Sequence, residues 1–339
     1  MIRVAVDAMG GDHAPYAIVK GAEAAWREQI AEPVLVGDEN KIRPFLDATS
    51  KIEVVHTSSY VEMRESPSSA LRKKRDSSVN KAYALQCSGD VEAVVTAGNS
   101  GAAMAFAIFT LGRIQGVERP AIMSFHPNVK GTLSVLLDAG ANVDCRPGHL
   151  VQFAIMGHVY AKYGMGIERP RVGLLSNGAE ETKGNELTRE AHALLRGVNI
   201  NYVGYIEGTD MYNGSTDVVV SDGFVGNVAL KISEGIAESI TTFLKERRRK
   251  NFRRKLGYFL LSDVFQELAR TVDYSEYGGA PLVGVNGASI ICHGKSNEKA
   301  IKNAIAMAKD FAAKKISAHL TETMLQYRES IDRRTTKES

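Results

Sequence analysis

Eleven short apolar runs, each closed by Gly, Asn, Asp, Thr or Pro, constrain what this chain can fold into more than any other feature. They are residues 2–8, 33–38, 52–57, 91–98, 120–125, 132–140, 171–178, 200–208, 217–223, 281–287 and 288–294. The runs are continuously apolar and do not alternate with polar residues, which is the pattern of strands buried on both faces. Between them, stretches such as YAIVKGAEAAWREQI and NEKAIKNAIAMAKDFAAKKI set apolar residues three and four apart, as a helix with one buried face requires. Strands and helices in alternation predict an α/β fold with a mainly parallel sheet covered by helices. No internal repeat, low-complexity stretch or Pro-rich linker divides the 339 residues. From about Glu329 the sequence turns polar and reads as a frayed tail.

Composition excludes several classes. With 44% hydrophobic and 24% charged residues the chain is neither disordered nor collagen-like. Its three cysteines, Cys87, Cys145 and Cys292, are far apart and form no CxxC. That points to a reducing compartment and away from a zinc or iron–sulfur site. The opening MIRVAVDA reads as a strand and not as a signal peptide. The longest apolar candidate, Ala102 to Leu111, is about half the roughly 18 residues of a spanning helix. The expectation is a cytoplasmic protein.

Charge is unevenly placed. The segment KERRRKNFRRK (245–255) carries eight basic residues and one Glu, a local +7, so the rest of a chain of net +3 carries −4. After it, Phe252, Leu256, Phe259, Leu260, Val264, Phe265 and Leu268 recur at helical spacing. Cations followed by an aromatic-bearing apolar stripe suit an anionic lipid surface or an acidic protein partner. A core helix with a solvated basic face is the plainer reading. A second, smaller basic group, Arg72 to Arg75, reads equally as a solvated loop, and no other basic or aromatic cluster supports nucleic acid.

Open α/β sheets bind ligands at the carboxyl ends of their strands. Five strand ends here share one chemistry: MGGDH (9–13), GNSGA (98–102), SNGAEETKGN (176–185), DGFVGN (222–227) and NGA (286–288). Glycines after a strand let backbone N–H groups turn toward an anion, and a following helix N-terminus adds its positive dipole end. Singly, each loop is an ordinary turn. Five together, with Lys183 and His13 among them, predict a phosphate-sized anion site with few formal charges. GxGxxG, GxxxxGK[ST] and GxSxG are all absent, so dinucleotide, nucleotide and serine-hydrolase readings lack their marks.

His13, beside Asp12, is a candidate general acid or oxyanion donor. A Cys292–His293 nucleophile and a divalent metal on Asp7, Glu180 and Glu181 are lesser alternatives, since the spacings match neither chemistry.

The combination DAMGGDHAP (7–15), TAGNSGA (96–102), LLSNGAEETKGNE (174–186), SDGFVGNVALK (221–231) and GVNGASIICHGKS (284–296) resembles the phosphate acyltransferase family. These are the acyl-carrier-protein:phosphate transacylases of bacterial phospholipid synthesis. The likeness runs from Met1 to about Tyr327. It implies a three-layer α/β/α architecture of the isocitrate/isopropylmalate dehydrogenase type, one catalytic unit of two intertwined halves over residues 1–330, and a polar tail at 331–339. A protruding basic and amphipathic helical segment at about 240–275 is implied to contact membrane or carrier. The partners it implies are acyl carrier protein, a second copy of the chain, an anionic membrane surface, and a membrane-bound glycerol-3-phosphate acyltransferase downstream. Localisation would be cytoplasmic with peripheral membrane association.

On this reading long-chain acyl–carrier-protein thioester and inorganic phosphate give acyl phosphate and free carrier. Phosphate is itself the nucleophile, so no Ser or Cys motif is needed and no metal or organic cofactor is expected. The expected roles are catalytic for His13, Lys183 and Asn227. Asp12, Asn99, Ser100, Gly101, Gly184, Asn185, Asp222 and Asn286 are expected around the phosphate. Arg248, Arg249, Lys250, Arg253, Arg254, Leu256, Phe259 and Leu260 are expected at the membrane or carrier. A phosphotransacetylase-like enzyme using acyl-CoA, a dehydrogenase of the same architecture and a non-catalytic membrane scaffold are the rivals.

Overall fold

The architecture was determined from a computed structural model, which describes residues 1–248, 257–265, 267 and 274–338. Each of the eleven apolar runs holds one strand. They are β1 (Arg3–Asp7), β2 (Glu32–Gly37), β3 (Glu53–His56), β4 (Ala93–Thr96), β5 (Ala121–Pro127), β6 (Leu133–Leu137), β7 (Val172–Leu175), β8 (Tyr202–Ile206), β9 (Val218–Val220), β10 (Ala280–Val283) and β11 (Ala288–Ile291). All join one sheet in the order β3-β2-β1-β4-β11-β10-β5-β6-β9-β7-β8. Helices cover it, so the fold is α/β with a mostly parallel, mixed sheet.

The apolar runs form strands because both faces are covered. Val4, Val6, Ala93 and Val95 are fully buried with Ile301 and Ile305, whereas Ala5 and Val94 pack with Tyr83 and Phe106. Each such aliphatic side chain contributes roughly 1.5–3 kcal/mol of burial. The two long periodic stretches form the helices Tyr16–Arg27 and Glu298–Ala313, packed against each other on the same side of the sheet.

Strand direction is what positions the chemistry. β1, β2, β3, β4 and β11 run parallel. β10 is antiparallel to β11 and to β5, and β5 is antiparallel to β6. β6, β9, β7 and β8 are then mutually parallel. They therefore run opposite to β1. The chain makes the first half with β1–β4, crosses to the second half with β5–β9, and returns through β10 and β11.

The helix Ile316–Glu338 carries the chain into the polar segment that begins near Glu329, with Ile316, Leu320 and Met324 fully buried at its start.

Candidate active site

Opposed strand directions divide the glycine-rich loops into two groups on opposite edges of the sheet. The first-half edge carries the loops after β1, β4 and β11. The second-half edge carries those after β6, β9 and β7, which are neighbours in that order. Strand direction thus sets the five loops in two groups within one chain.

On the second-half edge, β7 ends in the Lys183 loop. Gly184 N donates to Asn177 Oδ1 at 2.9 Å and Lys183 N donates to Glu180 O at 3.0 Å, which folds the loop back on itself. The half-buried Lys183 has an ammonium without an ion pair among the described residues. Next to it, β9 leads into the helix Gly223–Arg248. Asn227, in the first turn, is exposed and lies against Gly140, in the loop after β6. That loop is built around Asp138, a fully buried carboxylate. It accepts from Ile122 N at 3.0 Å, Ala141 N at 3.0 Å, Asn142 N at 2.6 Å and Asn142 Nδ2 at 2.8 Å. Burial pushes its pKa up and these donors oppose the rise. The Asp138 loop was not among the five motifs, although DAGAN has the same strand-ending chemistry.

On the first-half edge, Asp7 closes β1 and Thr96 closes β4. Asp12 N donates to Gly294 O at 2.7 Å, so the loop after β11, within the motif GVNGASIICHGKS, belongs to this group, whereas NGA (286–288) lies at the start of β11. His13 is exposed, and its ring makes no hydrogen bond among the described residues. Asp12 is exposed beside Gly294. Ser100 is exposed as the first residue of the helix Ser100–Thr110, with its N–H at the positive dipole end.

Several expected phosphate ligands have structural duties that occupy their side chains. Asn99 Oδ1 caps Ala102 N at 3.0 Å, and its Nδ2 donates to the carbonyls of Met63 and Glu65. Asn185 caps Thr188 N at 2.9 Å. Asp222 accepts from Phe224 N and Val225 N, both at 2.9 Å, as a carboxylate at a helix start should. Gly101 packs on Pro67, where a side chain would collide. Asn286 donates to the carbonyls of Leu111 and Arg113. It lies in the turn where β10 ends and β11 begins, so it is on the second-half edge and away from Asn99 and His13.

The alternative nucleophiles and metal ligands are not assembled. Burial pushes the Cys292 thiol up to about 12, and His293 Nδ1 instead accepts from Lys295 N at 3.1 Å. The Cys145 thiol is pushed up to about 11, again by burial. Asp7 sits on one edge while Glu180 and Glu181 sit on the other, and Glu181 pairs with Arg196 at 2.6 Å.

Of the expected membrane or carrier residues, Arg249, Lys250, Arg253, Arg254 and Leu256 lie outside the described residues. Arg248 ends the helix Gly223–Arg248. Phe259 and Leu260 are 73% and 69% exposed, with Leu261 and Val264 also exposed beside them. No described helix is long and apolar enough to cross a membrane.

Comparison with known proteins agrees with the geometry. The family described as fatty acid synthesis protein matches residues 2–319. Phosphate acyltransferase from Citrifermentans bemidjiense is 54% identical over 327 residues, covering 95% of this chain and 93% of the relative. Phosphate acyltransferase from Geobacter sulfurreducens is 51% identical, with 95% and 94% coverage. Among solved structures, the EutD phosphotransacetylase from Staphylococcus aureus superposes with a TM-score of 0.61 at 14% identity, over 92% of this chain and 94% of that one. A 4-hydroxythreonine-4-phosphate dehydrogenase from Burkholderia phymatum gives 0.50 at 13% identity, over 91% and 98%. The two superpositions show a shared three-layer α/β/α fold. With relatives above half identity along nearly its whole length, the chain belongs to the phosphate acyltransferase family, enzymes that transfer an acyl group to phosphate.

Proposed function

We propose that the enzyme moves a long-chain fatty acyl group from acyl–carrier-protein thioester to inorganic phosphate by direct attack, giving acyl phosphate for phosphatidic acid synthesis. The observation that carries direct attack is that two of the three thiols, Cys145 and Cys292, are held protonated by burial, while Lys183 stands on a backbone-rich loop without an ion pair among the described residues. Phosphate, substantially dianionic near neutral pH, is then itself the nucleophile. Lys183 holds it as a point charge. Good positioning contributes roughly 7–11 kcal/mol toward such a step. On this reading the Asn227 amide donates to the oxyanion of the tetrahedral intermediate, where one donor is typically worth about 3–4 kcal/mol. The thiolate of the carrier arm then leaves without strong acid assistance.

His13 and the Ser100 and Gly101 amides sit on the other edge. For them to act in the same reaction a second copy must supply them, and a homodimer is part of this reading. An exposed apolar stripe on the helix Gly223–Arg248, formed by Val228, Ile232, Ile236, Ile240 and Phe243, supports such a partner. The exposed Phe259 and Leu260 support peripheral contact with anionic lipid, near a downstream membrane-bound acyltransferase that accepts acyl phosphate.

The test is phosphate-dependent loss of thioester from long-chain acyl–carrier protein, run beside acyl-CoA. Phosphate-dependent product from the carrier substrate supports the reading. Turnover with acyl-CoA alone moves the enzyme to phosphotransacetylase-like chemistry.

A further inference from the structure

The loop after β6, residues 138–142, is wound around one carboxylate. Asp138 Oδ1 accepts from Ile122 N at 3.0 Å, Gly140 N at 3.2 Å and Ala141 N at 3.0 Å. Its Oδ2 accepts from Asn142 N at 2.6 Å and Asn142 Nδ2 at 2.8 Å. Asn142 O in turn accepts from Gly223 N at 2.8 Å, which ties the loop to the first residue of the helix that carries Asn227. That helix meets Asp138 twice more. A Cβ on Gly223 would come 2.8 Å from Asp138 Oδ2, and one on Gly226 would collide with the Asp138 carbonyl. At the outer end of the loop Gly140, with φ +137°, lies against Asn227: a Cβ there would come 3.3 Å from Asn227 Cβ and 3.5 Å from its Oδ1. The exposed Asn227 side chain makes no hydrogen bond among the described residues, so the Gly140 backbone is what its amide rests on.

Burying a carboxylate is costly even when its oxygens are satisfied, and the ordinary duties at this corner are already filled by other groups. The helix start is capped by Asp222, which accepts from Phe224 N and Val225 N. β6 and β9 are joined there by backbone alone, Ser221 N to Leu137 O at 2.7 Å and Asp138 N to Ser221 O at 2.9 Å. What the carboxylate adds is the path of the loop past Asn227. We propose that Asp138 is a positioning residue for Asn227, winding the 138–142 loop so that Gly140 holds the amide in the direction it needs at the reacting carbonyl. This rests on the reading of Asn227 as donor to the oxyanion. Asp138 is fully buried and acts only through the backbone it binds.

The experiment is a double-mutant cycle on the full-length enzyme, Asp138→Asn and Asn227→Ala singly and together. It reads kcat, KM for inorganic phosphate and thermal midpoint, with long-chain acyl–carrier protein as donor. Asn keeps the shape of Asp138 but puts an N–H group where an oxygen accepted, which shifts the loop. Asn227→Ala is expected to lower kcat about a hundred- to a thousandfold. Asp138→Asn should lower it up to about a hundredfold, the cost of a misplaced group. With Asn227 already removed, Asp138→Asn should cost less than about threefold more, because the two act as one unit. The phosphate KM of Asp138→Asn should be unchanged, since Lys183 is on the loop after β7. Losses in kcat that multiply make Asp138 a stabilising residue only and overturn the proposal, as does a kcat that Asp138→Asn leaves unchanged. If Asp138→Asn melts below the assay temperature, Gly140→Ala replaces it in the same cycle. That variant keeps every bond to Asp138 and sets a methyl group against Asn227, and the same outcomes decide. Where Asn227→Ala lowers kcat but the coupling is absent, this inference fails alone. If Asn227→Ala keeps the parental kcat, the reading of Asn227 fails and takes the inference with it.

Discussion

The Thr96 hydroxyl donates a 2.7 Å hydrogen bond to the buried Asp7 carboxylate, tying the ends of the two central strands of the first half together. Burial raises the Asp7 pKa above the ordinary carboxylate value, with hydrogen bonds from Ser78, Thr96 and Met9 working against the rise. Between the unfolded value near 3.9 and the raised folded value, the native state binds more protons than the unfolded state. This group's contribution to stability therefore falls as pH rises through that window. Asp7→Asn removes the dependence. The stability of the Asn variant relative to the parent should increase from pH 4 upward in thermal denaturation, and a flat or falling difference would refute the assignment.

His126 has the opposite sign. Burial lowers its pKa to about 4, while Glu234 nearby opposes the shift. Its ring bridges Ser124 at 3.0 Å and Tyr212 at 3.1 Å, and Tyr212 in turn contacts Ser233 on the helix that carries Asn227. The unfolded chain binds a proton near 6.5 that the folded chain refuses until about 4. Stability is lost as pH falls through that interval, by on the order of 3 kcal/mol. His126→Gln should flatten the acid limb of the stability profile between pH 6.5 and 4. An unchanged limb would mean another group carries it.

Gly226 illustrates how tightly the second-half edge is built. A Cβ at this position would collide with the Asp138 carbonyl, and backbone cannot yield as a side-chain tip can. Gly226→Ala should destabilise the protein by about 1–3 kcal/mol or more, measured by urea denaturation. It should also displace Asn227 and lower kcat. Full stability and full activity would show that the helix start has room to move.

These sites explain what the sequence could disclose. All eleven strands were legible because strands covered on both faces must be continuously apolar, and that is a local property. The edge on which a loop emerges was not legible, because direction is set by pairing partners far along the chain. β10 looks like any other buried run, yet it is antiparallel to both neighbours, and so Asn286 emerges away from His13. Caps and ligands also look alike in sequence: Asn99, Asn185 and Asp222 suit an anion loop and a helix start equally. The Asp138 loop, in contrast, carried the same signal as the five chosen motifs.

The division of the loops makes the shared site of the proposed homodimer testable by complementation. His13 and Lys183 emerge from oppositely directed strands, and in the proposed dimer a reaction using both draws them from two protomers. In a heterodimer of His13→Ala with Lys183→Met, one site then carries both defects and the other carries neither. Co-expression of differently tagged inactive variants in equal amounts should restore about a quarter of parental activity, half the dimers being mixed and half their sites intact. Purification through both tags should raise this to about half. A mixed dimer as inactive as its parents would show that His13 and Lys183 do not meet across the interface. An active His13→Ala homodimer would remove the first-half edge from the reaction altogether.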